Sequence, residues 1–256
     1  MQTFFFHGFS GGASTSLASF VRALALDPSD VVALDMPGFS PMHGLLEPNV
    51  LADPQEYLRL VEAQVAQHKT GKKIRIIAYS HGAIPAFLYA AAHQQEVVQL
   101  VLICPASSLH RFVGLLPRVM RGTSRVMSLD RVVGVMRSRF LVDAITLYGY
   151  KRYWDRHILM DRLRARRQES AHYTSNLFYL MKQLEVFQKQ CQDVNISQVP
   201  TIILQTTDDE VVGGSSVHWF EQHIADAEVI STLGGHSIVT VLPDHVAQHL
   251  KPYLKK

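Results

Sequence analysis

Ser80 stands in Ala78-Tyr79-Ser80-His81-Gly82-Ala83, after the apolar run Ile74-Arg75-Ile76-Ile77 and before an Ala-rich stretch of helical character. A strand-to-helix corner of this kind mounts a nucleophile. The tight turn forces the serine backbone towards an unfavourable conformation and leaves no room for side chains two positions before it and two or three after. Ala78, Gly82 and Ala83 meet that demand, with Ala78 in place of the first glycine of the usual Gly-x-Ser-x-Gly pattern. A serine of this kind also needs a base and an acid. Val199 to Val212 reads as a buried strand running into a loop that carries Asp208 and Asp209, and a carboxylate at a strand end can orient a histidine. The next strand-like run, Ala227 to Leu233, ends in Gly234-Gly235-His236-Ser237, whose glycines let the backbone deliver His236 across the sheet edge towards Ser80. Nucleophile, acid and base thus follow in the order Ser, Asp, His, with either carboxylate available.

The elements that must position these residues alternate short apolar runs with helical patterns, which predicts an α/β fold with a doubly wound, mostly parallel sheet. Strands are expected near 2–6, 30–34, 73–79, 98–104, 200–206 and 227–232, about six in all. Crossover helices are expected near 14–26, 53–69, 82–93, 215–224 and 239–253. Between Pro105 and about Gln198 the pattern is helical with almost no strand signal, and Tyr173 to Phe187 reads as a longer amphipathic helix.

Two further segments complete a set of four ordered signatures. Phe4-Phe5-Phe6-His7-Gly8-Phe9-Ser10-Gly11-Gly12 is similar to a His-Gly-x loop after a core strand, and Asp35-Met36-Pro37-Gly38 to an Asp-x-Pro-Gly turn. With the Ser, Asp, His order, these residues resemble the α/β-hydrolase family over nearly the whole chain. The resemblance implies that residues 1–105 and 199–256 form the hydrolase core. Residues 106–198 would then be a helical cap, inserted before the penultimate strand and covering the site. It implies catalytic roles for Ser80, Asp209 and His236, Asp209 being selected over Asp208 by the family's spacing to an apolar pair such as Val211-Val212. It also implies an oxyanion hole made by the backbone amides of Phe9 and His81. His7 is expected to hold its loop by hydrogen bonds rather than to take part in chemistry. The antiparallel strand pair that usually opens the family's fold is absent from the pattern, so six strands are expected instead of eight.

Charge is unevenly divided. Residues 106–198 carry sixteen Lys plus Arg against seven Asp plus Glu, and the rest of the chain nine against fifteen, within a net charge of +3. Arg118, Arg121 and Arg125 open one cluster, and Arg162, Arg164, Arg166 and Arg167 form another. A basic cap over an acidic core reads either as solvated helix surface or as steering of an anionic partner: an acidic acyl carrier, a coenzyme A thioester, a carboxylate-bearing substrate or an anionic membrane surface. An Arg-rich cap over a serine site is similar to the pimeloyl-carrier-protein methyl ester esterases, although Tyr79 and His81 stand where that group has Trp and Leu. Nucleic acid is excluded as a partner by the small net charge and by the lack of finger or RNA-binding patterns.

No run reaches the roughly 18 to 20 apolar residues that span a bilayer, and the N-terminal apolar run stops at His7 without a basic segment before it. A cytoplasmic protein is therefore expected. The two cysteines, Cys104 and Cys191, are too few for a disulfide framework, and Cys104 reads as a small buried hydrophobe. Thirteen histidines show no paired spacing such as His-Glu-x-x-His, so neither a metal nor a cofactor is expected. A serine rather than an aspartate at the corner argues for acyl transfer and against epoxide opening or dehalogenation. The reading is a serine hydrolase that cleaves a small carboxylic ester or thioester through an acyl-Ser80 intermediate. The alternatives are carbon–carbon bond hydrolysis of ring-cleavage products, a ligand receptor that retains all three residues, and a membrane-surface lipase with an interfacial helix around Phe112 to Met120. Cyanohydrin lyases and cofactor-free oxygenases share the same three residues in relatives.

Overall fold

The computed structural model describes residues 1–8, 13–37, 50, 53–71, 73–108, 160, 183–184 and 186–254. Phe9, the arginine clusters, the segment around Phe112 to Met120 and most of the expected cap lie outside the described residues.

Among the described residues six strands form one sheet in the order β2-β1-β3-β4-β5-β6, each of these pairings parallel: β1 (Gln2–Phe6), β2 (Val31–Leu34), β3 (Ile74–Tyr79), β4 (Val97–Ile103), β5 (Thr201–Thr206) and β6 (Glu228–Thr232). The helices between them are α1 (Ala13–Leu24), α2 (Pro54–His68), α3 (Ala83–Ala92), α4 (Gly214–His223), α5 (Ile238–Val241) and α6 (Pro243–Leu250). Parallel strands need crossovers, and the crossovers bury both faces of the sheet, which is why the inner strands β1, β3, β4 and β5 are mostly apolar on both sides, unlike the edge strand β6. Successive residues go to opposite faces. Phe4, Phe6, Ile76, Ala78, Leu100, Leu102 and Ile203 enter the core under α2, α3 and α4, whereas Phe5, Ile77, Val101, Ile103, Ile202 and Leu204 enter the core under α1, α5 and α6.

Local chemistry sets the helix ends. Asp53 caps α2 by accepting from the amides of Gln55 and Glu56, with Pro54 at the first helical position. The helix buries Tyr57, Leu58, Val61 and Val65, a stripe of helical period. Every residue of α3 from Ala83 to Ala90 is buried, because this helix is covered on its outer side as well. Phe187 does part of that covering: its ring meets Phe87 edge-on at 6.1 Å, and Phe87 in turn meets Trp219 at 5.3 Å and Phe220 at 5.8 Å.

Strand positions agree with the sequence reading to within a residue, and the six-stranded sheet is as expected. The single helix expected over 239–253 is instead two, α5 and α6, broken at Leu242 (φ −130°, ψ 55°). Pro243 causes the break, since it has no amide to donate and pushes the residue before it out of helical conformation. The amphipathic segment expected to end at Phe187 stays helical through Gln190 at its described residues. Among the described residues no helix is long and apolar enough to cross a membrane.

Candidate active site

Because all strands run the same way, their carboxyl ends meet at one edge of the sheet. His7 follows β1, Ser80 follows β3, Cys104 follows β4, Asp208 and Asp209 follow β5, and His236 follows β6.

At the end of β3 the chain turns through a short 3₁₀ turn, Ser80–Gly82, into α3. Ser80 has φ 54°, in the left-handed region that a residue with a β-carbon occupies at a cost of roughly 1–2 kcal/mol. The surroundings hold it there. Ala106 donates its amide to the Ser80 carbonyl at 3.1 Å. Gly82 passes so close to β1 that a β-carbon would lie 2.3 Å from the Phe6 carbonyl oxygen and 2.6 Å from that of His7, so no side chain fits.

Ser80 Oγ lies 2.8 Å from His236 Nε2, and His236 Nδ1 lies 2.8 Å from Asp209 Oδ2. The three side chains are nearly enclosed: Ser80 is 7% exposed, and the side chains of His236 and Asp209 are 13% and 6% exposed. Asp209 Oδ1 accepts from the amides of Val211 and Val212, both at 2.8 Å, so the carboxylate is held from two directions. An ionised carboxylate only accepts, so the proton on the facing imidazole nitrogen sits on Nδ1 and Nε2 is left to accept from the Ser80 hydroxyl. This chain of hydrogen bonds can take a proton from Ser80 as the oxygen attacks an electrophilic carbon.

Asp208 does something else. Its Oδ1 accepts the amides of Gly234 at 3.0 Å and Gly235 at 2.9 Å, fixing the loop that carries His236. Gly234 (φ 146°) and Gly235 (φ 63°) both occupy backbone conformations that suit glycine. Tyr79 holds the same loop from below, its hydroxyl donating to the His236 carbonyl at 2.7 Å.

Two buried histidines flank the serine. His7 accepts from the Met36 amide through Nε2 at 3.0 Å and donates from Nδ1 to the Gly8 carbonyl at 2.6 Å, so it ties its loop to the turn after β2, as the sequence suggests. His81 donates from Nε2 to Gln183 Oε1 at 2.6 Å, which joins the turn at Ser80 to the segment expected to be the cap. Burial holds His81 neutral, its pKa pushed down to about 4, and pushes His7 down as well. In the unfolded chain both return to about 6.5 and bind protons that the native state refuses. Stability contributed by the neutral rings is therefore complete above about pH 6.5 and falls as pH drops towards 4. For His81 alone the expected loss is about 3 kcal/mol. Denaturant unfolding curves at pH 7.5 and pH 4.5 check it, and His81→Gln is expected to flatten the pH dependence.

The structure thus brings together Ser80, Asp209 and His236, with His81 next in the turn; Phe9 lies outside the described residues. Sequence reasoning missed the loop-holding parts of Asp208 and Tyr79 and the Gln183 partner of His81, for which no spacing gives a signal. It also passed over His245 and His249, one helical turn apart on α6, whose Nε2 atoms both reach the Thr232 hydroxyl, at 2.7 and 3.2 Å.

Comparison with known proteins agrees with this fold. The model of the family described as serine aminopeptidase, S33, matches residues 2–235. Among solved structures the chain is similar to a bacterial membrane phospholipase A described as a virulence factor (22% identity, TM-score 0.72, 99% of this chain and 78% of that one). It is also similar to the enol-lactonase of Burkholderia xenovorans LB400 (15%, 0.71, 100% and 91%). A third is the 2-hydroxy-6-oxo-6-phenylhexa-2,4-dienoate hydrolase of Rhodococcus sp. strain RHA1 (13%, 0.66, 98% and 89%). At these identities the likeness is one of fold. No protein of curated function matches the chain significantly.

Proposed function

Because the chain belongs to the serine aminopeptidase S33 family of α/β hydrolases, we propose that this enzyme cleaves a small carboxylic ester or thioester through an acyl-Ser80 intermediate. The observation that carries the reading is the unbroken relay from Ser80 Oγ through His236 to Asp209, at 2.8 Å and 2.8 Å. In this reading His236 Nε2 takes the Ser80 proton as Oγ attacks the acyl carbon, and Asp209 stabilises the imidazolium that forms. The amides of His81 and Phe9 stabilise the tetrahedral oxyanion, each contributing about 3 kcal/mol. His236 then returns the proton to the leaving group, and water, activated by the same ring, releases the acid.

Substrate preference follows from charge. The sixteen basic against seven acidic residues of 106–198 suit a substrate or acyl carrier with an anionic group. The same charge disfavours the free α-ammonium group that an aminopeptidase must accept, so an ester or thioester suits this chain better than an aminopeptidase substrate. Action in the cytoplasm belongs to the same proposal and agrees with two free, buried cysteines.

The test is hydrolysis of p-nitrophenyl esters from acetate to decanoate, beside aminoacyl p-nitroanilides, with mass-spectrometric mapping of a fluorophosphonate adduct. Ester turnover with a chain-length optimum, little anilide turnover and the adduct on Ser80 support the reading. An adduct without ester turnover would point to a different acyl donor, carrier-bound thioesters first and ring-cleavage dienoates second. With neither turnover nor adduct, hydrolysis at Ser80 is wrong and a receptor role becomes the better account.

A further inference from the structure

Cys104 follows β4, the strand that lies between the one delivering Ser80 and the one delivering Asp209. It is buried, with φ 45°, and the contacts that hold this unusual backbone include its amide bond to the Leu204 carbonyl at 2.7 Å. Its Sγ lies 3.8 Å from the Thr206 hydroxyl. More telling, one ligand atom from each of Cys104, Asp209 and His236 lies within 4.8 Å of the other two. Beside Cys104 and Asp209 is a cavity of about 90 Å³ lined also by Thr206, Val212 and Gly213. One water needs about 10–15 Å³ of such space, so the cavity can hold water.

A thiol, an imidazole and a carboxylate within 4.8 Å of one another, the thiol and the carboxylate lining a small cavity, form a donor set for a thiophilic, tetrahedral cation, with the fourth position left to water. We propose that Cys104, Asp209 and His236 form an inhibitory site for Zn²⁺ or a similar thiophilic divalent cation. No sequence spacing reveals it, because the three ligands come from three different strand ends, so the expectation of no metal rested on a pattern this site does not use.

Charge favours the assembly. A dication, a thiolate, a carboxylate and a neutral imidazole sum to zero, which avoids leaving net charge in a buried place. Burial and the neighbouring Asp209 push the free Cys104 thiol well up, so it stays protonated without a metal and becomes a thiolate only on coordination. The proton balance is simple. The Cys104 thiol gives one proton to solvent. The metal displaces the proton on His236 Nδ1, which the ring keeps by carrying it on Nε2 instead. Nε2 then faces Ser80 as a donor, the Nδ1–H bond to Asp209 is gone, and Ser80 has lost its base. Donor atoms around tetrahedral zinc lie closer together than 4.8 Å, while His236 Nδ1 and Asp209 Oδ2 are already 2.8 Å apart, so coordination must part that pair slightly to admit the metal, and the ring follows two glycines with positive φ that allow it to move.

Binding can be read without catalysis. Chelator-treated protein is titrated with Cd²⁺ while the ultraviolet thiolate-to-metal charge-transfer band is followed, in the parent, Cys104→Ser, Cys104→Ala and Cys191→Ser. The site predicts one equivalent of band in the parent and in Cys191→Ser and none in either Cys104 variant. Affinity is expected to rise about tenfold per pH unit, for one proton released. The loss of activity rests on the proposed hydrolysis. Saturating Zn²⁺ is expected to cut the ester rate at least tenfold, and Cys104→Ser to need at least tenfold more Zn²⁺ for half-inhibition, each variant compared with its own metal-free rate. No band in the parent, or a band that disappears in Cys191→Ser instead, overturns the site. A band in a protein that hydrolyses nothing keeps the site and overturns the hydrolysis; ester turnover without a band does the reverse.

Discussion

Ser80→Ala is expected to lower kcat for the best ester by about a million-fold, with KM changed little. The substitution removes the attacking oxygen and one hydrogen bond to His236, while the turn stays fixed by the Ala106 amide and by the close passage of Gly82 under β1. Thermal stability is therefore expected to move by no more than about 1 kcal/mol. His236→Ala is expected to cost a similar factor, and the double variant no more than either single one, because a nucleophile and its base act as one unit. Kinetics on the three variants, with the parent's active sites counted by fluorophosphonate, make the check. Losses that multiply in the double variant would mean that the two residues act separately and that the 2.8 Å contact is not the working one.

The two adjacent carboxylates give the second large effect. Asp209→Asn is expected to cut kcat by about ten-thousand-fold with little change in fold, because an amide facing Nδ1 favours the tautomer with its proton on the wrong nitrogen. Asp208→Asn is expected to cost less than tenfold, since an amide oxygen can still accept from Gly234 and Gly235. Asp208→Ala leaves those two amides without their acceptor and is expected to destabilise the protein by about 2 kcal/mol while loosening the His236 loop. Parallel kcat and denaturation measurements separate the two residues. If Asp208→Asn were the damaging change, the acid would be assigned to the wrong neighbour.

The sequence was most readable where one physical demand dominates. Strands buried on both faces are mostly apolar, so Phe4-Phe5-Phe6 and Ile74-Arg75-Ile76-Ile77 mark the sheet to within a residue, the buried Arg75 being satisfied by its hydrogen bond to Gln99. The tight corner at Ser80 demands small neighbours, and Gly82 could be picked out before its distance to Phe6 was known. The residues alone leave Asp208 and Asp209 open and only the family resemblance selects Asp209; the structure puts Asp209, not Asp208, on the His236 ring. Other features depend on distance in space with no trace along the chain. The Tyr79 hydroxyl reaches a carbonyl 157 residues away, and His81 reaches Gln183 across 102 residues. The break before α6 was legible in Pro243 and was overridden by the apolar period on either side of it.

The Ser80–His236 contact joins residues 156 apart in the chain. At roughly 5–20 residues per second, a ribosome that has just added Ser80 works for about 8 to 30 seconds more before it adds His236. Throughout that interval the nascent chain holds a serine no more reactive than any other. The last strand and its glycine loop therefore complete the hydrogen-bonded relay only when nearly the whole chain has been made.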